Sequence, residues 1–373
     1  MAKQRLVFLV PGFFGFTSVG AMSYFKDVET ALGRALAKRG IEARIVRCAT
    51  QPTASIPRRA DRLRRQVISH GGLEARELHF IGHSTGGLDV RMLLTPDAKI
   101  AKGTTGERIA RRTRTAVSVT TPHHGTPLAN YFLTLQGHTL LLLLSALATS
   151  GHGRSALLAA TRAIALTARL DDWTGIDDSL LDRVVERVLK TLRTEGGKAA
   201  WEFLEDIKQD QGAVLQLTPE GIALFDAAVA DRRDVDYASV VAGVPPPRER
   251  FSTRALFEPE RVALRGLFRL LHGLAARPHS HYPYPKPSAT VQRRLARELG
   301  FDVTPGTNDG VVPTLSQLHG RLLHVARADH LDVVGHYTLS ERAGDWLPSG
   351  AGFTPEGFEA TWDAVAAAIA GRR

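Results

Sequence analysis

The chain of 373 residues has one cysteine, Cys48, so no disulfide can form within it. It has no apolar run long enough to cross a bilayer. The longest, Leu140 to Ala148, has nine residues, against roughly 20 for a spanning helix. No secretory leader is visible. The run Leu6 to Val10 is too short for the hydrophobic centre of one, and no small-residue cleavage site follows. The expected compartment is the cytoplasm, or the cell exterior if this is the trimmed form of a longer chain. Aromatic residues are scarce, at 7%, and the arginine pairs (Arg58-Arg59, Arg64-Arg65, Arg111-Arg112, Arg293-Arg294) are scattered rather than interleaved with them in one stripe. The net charge of +10 therefore reads as a solvated basic surface, and no nucleic-acid partner is expected. Attraction to an anionic interface stays open. Repeats and low-complexity tracts are also missing.

What is present suits a globular protein with a sizeable core, since 43% of residues are hydrophobic. The chain is organised around Leu78 to Val90. Leu78 to Ile81 reads as a strand, Gly82-His83-Ser84-Thr85-Gly86 as a tight turn, and the run from Leu88 as a helix. Strand, Gly-x-Ser-x-Gly turn and helix in that order form a nucleophile elbow. Glycine flanks the serine because neighbouring backbone passes too close for side chains. The competing reading is a chance turn in a glycine-rich chain.

Further strands are expected at Leu6 to Val10, Ile41 to Arg47, Ala116 to Val119, Val235 to Gly243 and Leu322 to Val325. Helices are expected at Phe25 to Arg39 and Ile56 to His70 between them. This alternation predicts an α/β protein with a mostly parallel sheet covered on both faces. After Pro127 the strand signal fades. Leu128 to Ala148, Ser155 to Leu170, Asp178 to Leu192 and Lys198 to Gln209 read as helices. Three parts follow: a core from 1 to 127, a helical lid or cap from 128 to 215, and the rest of the core from 216 to 373, with an irregular excursion over 244–287. No stable membrane insertion is expected, though the apolar lid suits contact with a lipid interface.

A serine hydroxyl is a poor nucleophile until a base lies in reach and an acid orients that base. Asp309, in the turn-rich Asn308-Asp309-Gly310 loop, fits the acid; it equally fits an Asx turn, and Asp302 is a rival. His330, after the last strand, fits the base, with His319, His324 and His336 as rivals. An oxyanion needs two backbone N–H donors. Thr85, after the serine, and Phe13, in the loop after the first strand, stand where such donors are expected.

Five stretches carry a family resemblance: Val10-Pro11-Gly12-Phe13-Phe14-Gly15-Phe16, Ile81-Gly82-His83-Ser84-Thr85-Gly86-Gly87, Thr121-Pro122-His123-His124-Gly125-Thr126, Asn308-Asp309-Gly310-Val311-Val312-Pro313 and Asp329-His330-Leu331-Asp332. Together they resemble the bacterial triacylglycerol lipases of the Pseudomonas/Burkholderia type. The resemblance covers most of the core and little of 128–215. It implies an α/β-hydrolase fold with a large helical lid. It implies a catalytic Ser84, Asp309 and His330, an oxyanion hole of Phe13 and Thr85, and Phe14 and Phe16 beside a hydrophobic ester or lipid substrate. The implied activity is carboxylic-ester hydrolysis through an acyl-enzyme, without a cofactor. Acyl transfer to an alcohol and polyester depolymerisation use the same residues and stay open, as does a binding protein that keeps the fold without the activity. The chain departs from the pattern at Pro11-Gly12, where His-Gly is usual. It lacks the usual disulfide. A structural calcium is usual near His-Leu-Asp; Asp332 suits one ligand, but no second aspartate is found between Val244 and Leu299, so no metal is expected.

Overall fold

The structure is a computed structural model. It describes residues 4–13, 18–19, 22–96, 105–134, 137, 141, 210, 212–247, 259–278, 284–337, 345 and 347–371. Phe14, Phe16 and most of the 128–215 segment lie outside the described residues.

Parallel pairing joins β1 (Arg5–Val10), β4 (Arg44–Arg47), β5 (Glu77–His83), β6 (Thr113–Val119), β7 (Asp236–Ala242) and β8 (Arg321–Ala326). Two short strands between them, β2 (Ser18–Val19) and β3 (Met22–Ser23), pair only with each other. The six strands lie in the order β4-β1-β5-β6-β7-β8. The chain thus moves outward from β1 to β4, then crosses back to β5 and continues the other way. The loops after β1 and β5 therefore flank the point where the order reverses, at the carboxyl edge where ligands of such sheets bind.

The inner strands β1, β5 and β7 are buried almost throughout because both faces are covered. Val7, Leu9 and Ile81 pack with helix α1 (Val28–Ala37) and with the C-terminal helix Pro355–Ala370, whose Trp362 is fully buried. Leu6, Phe8, Val10, Leu78 and Phe80 pack on the opposite face with α2 (Ile56–Ser69) and α3 (Gly86–Leu94). Successive side chains of a strand alternate between faces, so β1 and β5 serve two cores at once. Helix α2 begins with proline at its first turn, and Pro355–Ala370 begins with the Thr354 hydroxyl accepting from the Gly357 N–H.

His79 on β5 is buried, and desolvation pushes its imidazole down to about 4. The unfolded chain takes a proton near 6.5 that the folded chain refuses. Its neutral form therefore favours the fold above that value, and the advantage is lost as pH falls from 6.5 towards 4. The loss is on the order of 3 kcal/mol. Melting temperatures between pH 7 and 4.5 should fall more steeply for the wild type than for His79→Phe. Parallel curves would rule this out.

Candidate active site

The elbow forms because β5 ends at His83 with no room to run straight. Ser84 donates its backbone N–H to the Val119 carbonyl at 2.9 Å, which carries the β5–β6 pairing one residue further. The next peptide must then reverse into α3, and Ser84 takes φ of 54°. For a non-glycine residue this left-handed backbone costs roughly 1–2 kcal/mol. A Cβ at position 82 would lie 2.4 Å from the Gly87 nitrogen, and one at 86 would lie 2.3 Å from the Val10 carbonyl oxygen. Both glycines of the motif are thus set by the close approach of backbone. Helix α3 starts directly after Thr85, and the first N–H groups of a helix have no carbonyl one turn back to bind.

The loop after β1 is held from beneath by an arginine. Arg59, on α2, has no exposed side-chain surface. Its guanidinium donates to the carbonyls of Pro11 (3.0 Å), Gly12 (2.9 Å), Gln51 (2.7 Å) and Pro52 (2.9 Å). It also pairs with Asp89 of α3 at 2.8 Å. Burial pushes the Asp89 carboxyl up to about 6, against the pull of Arg59. Because the peptide unit is planar and trans, fixing the Gly12 C=O toward Arg59 turns the Phe13 N–H the opposite way. Gly12 must lack a side chain, since a Cβ there would lie 2.5 Å from the Ser84 Cβ.

Asp309 and His330 meet at the same edge. His330 Nδ1 lies 2.8 Å from Asp309 Oδ2, and the His330 backbone N–H donates to the Asp309 carbonyl at 2.9 Å. Both residues are buried. Asp309 Oδ1 accepts from the N–H groups of Val311 (2.9 Å) and Val312 (2.7 Å), and Oδ2 also accepts from Gln317 Nε2 at 3.2 Å. The Asx turn and the histidine partner are therefore the two oxygens of one carboxylate, not alternatives. A carboxylate on Nδ1 fixes the tautomer with the lone pair on Nε2, the form a general base requires. Farther along the chain, Trp362 Nε1 donates to the Val333 carbonyl at 3.1 Å, pinning the turn that follows His330 to the C-terminal helix.

The rival histidines are engaged elsewhere. His319 Nε2 lies 2.9 Å from Asp231 Oδ2, and its ring stacks on that of His123 at 4.3 Å. His336 Nε2 donates to the Tyr24 carbonyl at 3.2 Å. His324 sits within β8. The carboxylate that meets His330 is that of Asp309, not the rival Asp302. Ser84, Asp309 and His330 are thus all at the carboxyl edge, in the loops after β5, β7 and β8. Phe13, half-buried, packs against an apolar cluster that includes Ile56, Leu88 and Phe225.

A group of three carboxylates adjoins His330. One oxygen each from Asp329, Asp332 and Asp345 lies within 4.8 Å of the others. Asp329 is fully buried, and its Oδ2 meets no donor among the described residues. Burial and mutual repulsion hold the Asp329 carboxyl well above its ordinary value, and burial pushes that of Asp332 up to about 8. A hard divalent cation such as calcium takes six to eight oxygens, carboxylates foremost, and this donor set fits one. Between Val244 and Leu299 there is no aspartate to join Asp332; the carboxylates that gather beside it come from Asp329 and Asp345, on either side of it in the chain.

No protein-family model matches the chain, and no curated protein matches its sequence. Solved structures do match its fold. Lipase 1 from Pelosinus fermentans aligns over 100% of both chains with a TM-score of 0.53 at 16% identity. The Staphylococcus hyicus lipase aligns over 98% of this chain and 95% of its own, with a TM-score of 0.52 at 14% identity. EstA from Clostridium botulinum aligns over 97% and 88%, with a TM-score of 0.51 at 16% identity. This chain has the fold of those proteins. At such identities the likeness is one of architecture, and the chemistry must be argued from the side chains above.

Proposed function

We propose that the chain is a serine carboxylic-ester hydrolase, a lipase or esterase acting on hydrophobic acyl esters. The observation that carries this reading is the buried His330–Asp309 pair at 2.8 Å, at the sheet edge where Ser84 sits on a strained elbow. The Ser84 hydroxyl attacks the ester carbonyl while His330 Nε2 takes its proton. Asp309 holds the Nδ1–H and stabilises the cation that forms. The N–H groups of Phe13 and Thr85 hold the oxyanion. Collapse of the intermediate releases the alcohol with the proton from His330. Water then attacks the acyl-enzyme by the same steps and frees Ser84. Phe13, half-buried against Ile56, Leu88 and Phe225, flanks the acyl side. Two of the three structural neighbours are named lipases, which supports the substrate class. Initial rates on p-nitrophenyl esters of rising chain length, below and above the micellar limit, test it. A jump at the interface is the expected result, and a strict preference for short soluble esters would replace lipase with esterase.

Asp329, Asp332 and Asp345 would hold a calcium ion. The ion would supply no chemistry to the ester; it would tie down the loop that carries His330. Calcium at 5 mM is expected to raise the melting temperature and EDTA to reverse it, with Asp332→Asn insensitive to both. A wild-type melting temperature indifferent to calcium would remove the ion from the account.

A further inference from the structure

Two buried side chains outside the triad join the loops that meet at Ser84. His83 precedes the serine and is fully buried, and Tyr24 is 6% exposed. The Tyr24 hydroxyl lies 2.7 Å from the Gly12 nitrogen and 2.7 Å from His83 Nδ1. His83 Nε2 lies 2.9 Å from the His330 carbonyl oxygen.

Elimination fixes the direction of each bond. A carbonyl oxygen only accepts, so His83 carries its proton on Nε2. Nδ1 is then the lone-pair nitrogen and accepts from the Tyr24 O–H. The Tyr24 oxygen in turn accepts the Gly12 N–H. One directed chain results: Gly12 to Tyr24, Tyr24 to His83, His83 to the backbone of His330. A second proton on His83 would set an N–H against the Tyr24 O–H and break this order. Burial and the neighbouring His330 hold the His83 imidazole well below its ordinary value, so it stays neutral.

The chain grips the working loops at their backbone. Gly12 is held at its N–H by Tyr24 and at its C=O by Arg59. His330 is held at its C=O by His83 and at its N–H by Asp309. Gly12 and His330 are thus each held on both sides of their Cα, a Cβ on Gly12 would meet the Ser84 Cβ, and Ser84 is covalently next to His83. A buried histidine needs partners in any fold, and core satisfaction alone would account for two hydrogen bonds. It would not account for one of them ending on the His330 carbonyl while the other reaches the Gly12 N–H through the Tyr24 hydroxyl.

We propose that Tyr24 and His83 are positioning residues, which set the oxyanion loop and His330 against Ser84 through backbone hydrogen bonds without touching substrate. The proposal rests on the ester-hydrolase reading. Three variants test it. In Tyr24→Phe the relay loses its central hydroxyl. In His83→Gln the amide nitrogen can stand where Nε2 stands and keep the bond to His330. In His83→Asn the shorter amide stands at Nδ1 and cannot reach His330. Tyr24→Phe should lower kcat by about 10- to 100-fold with KM within about twofold, the effect of a small misplacement. His83→Gln should retain about tenfold more kcat than His83→Asn. In histidine-labelled wild-type protein, nitrogen NMR should give a neutral Nε2–H tautomer whose signal vanishes in His83→Gln. Equal kcat in the two His83 variants, an unchanged kcat in Tyr24→Phe, or an Nδ1–H tautomer would each overturn the relay. A wild type that hydrolyses no ester overturns the hydrolase reading itself, and the positioning role with it. An active wild type with the wrong tautomer overturns the relay alone.

Discussion

Ser84→Ala is expected to lower kcat/KM for p-nitrophenyl ester hydrolysis by on the order of 10⁵-fold or more, the scale of nucleophile removal in serine hydrolases. The melting temperature should hardly move, because alanine suffers the same backbone strain at φ of 54° as serine does. Ser84→Gly separates the two properties. Glycine adopts this conformation freely, so the variant should be as inactive as Ser84→Ala yet melt about 2 °C higher, from relief of roughly 1 kcal/mol. That pairing of lost activity with gained stability is what a strained functional residue predicts. A Ser84→Ala protein that keeps a tenth of wild-type activity would remove Ser84 from the chemistry. A Ser84→Gly protein that melts lower would remove the strain.

Arg59→Met is expected to be strongly destabilising. It strands the Asp89 carboxylate, which is fully buried and, among the described residues, bonded to no other cation. Breaking such a pair from one side costs about 3–5 kcal/mol. It also leaves the carbonyls of Pro11, Gly12, Gln51 and Pro52 without this donor. The double variant Arg59→Met, Asp89→Leu removes both charges and should recover much of the stability, as apolar replacement of a buried pair commonly does. Activity should not return with it, because the Gly12–Phe13 peptide stays unheld. Urea midpoints and kcat measured on the same three proteins decide the matter. Recovery of both together would mean that Arg59 serves stability alone.

The elbow was legible because its constraint is local. Gly82 and Gly86 are demanded by backbone a few residues away, and the spacing records that demand. The parallel sheet also followed from the alternation of strands and helices, whereas the lateral order of its strands is visible only in the fold. Arg59 was not legible. Within Arg58-Arg59 on an amphipathic helix it reads as one more solvated cation, and only the fold reveals that it turns inward onto a loop 47 residues away. Arg91 is similar: it is buried and pairs with Asp226 at 3.0 Å, far along the chain. In the sequence the Asx turn and the acid compete for Asp309, because a sequence does not show that one carboxylate has two directions. Asp345 was not legible beside Asp329 and Asp332, because a carboxylate cluster leaves no periodic trace when its members arrive from separate turns. His83 passed as the variable position of the motif, and Tyr24 as an ordinary core aromatic beside Phe25. Their hydrogen bonds span 59 and 247 residues, which no local pattern records.

The central claim is that Ser84 is a nucleophile activated by His330. A fluorophosphonate probe, followed by intact mass and peptide mapping, tests it most directly. One adduct per chain should form, on the peptide that contains Ser84, and His330→Ala should slow its formation by orders of magnitude while the fold persists. An adduct on another residue, or an ester-hydrolysing protein that the probe leaves unmodified, would contradict the account.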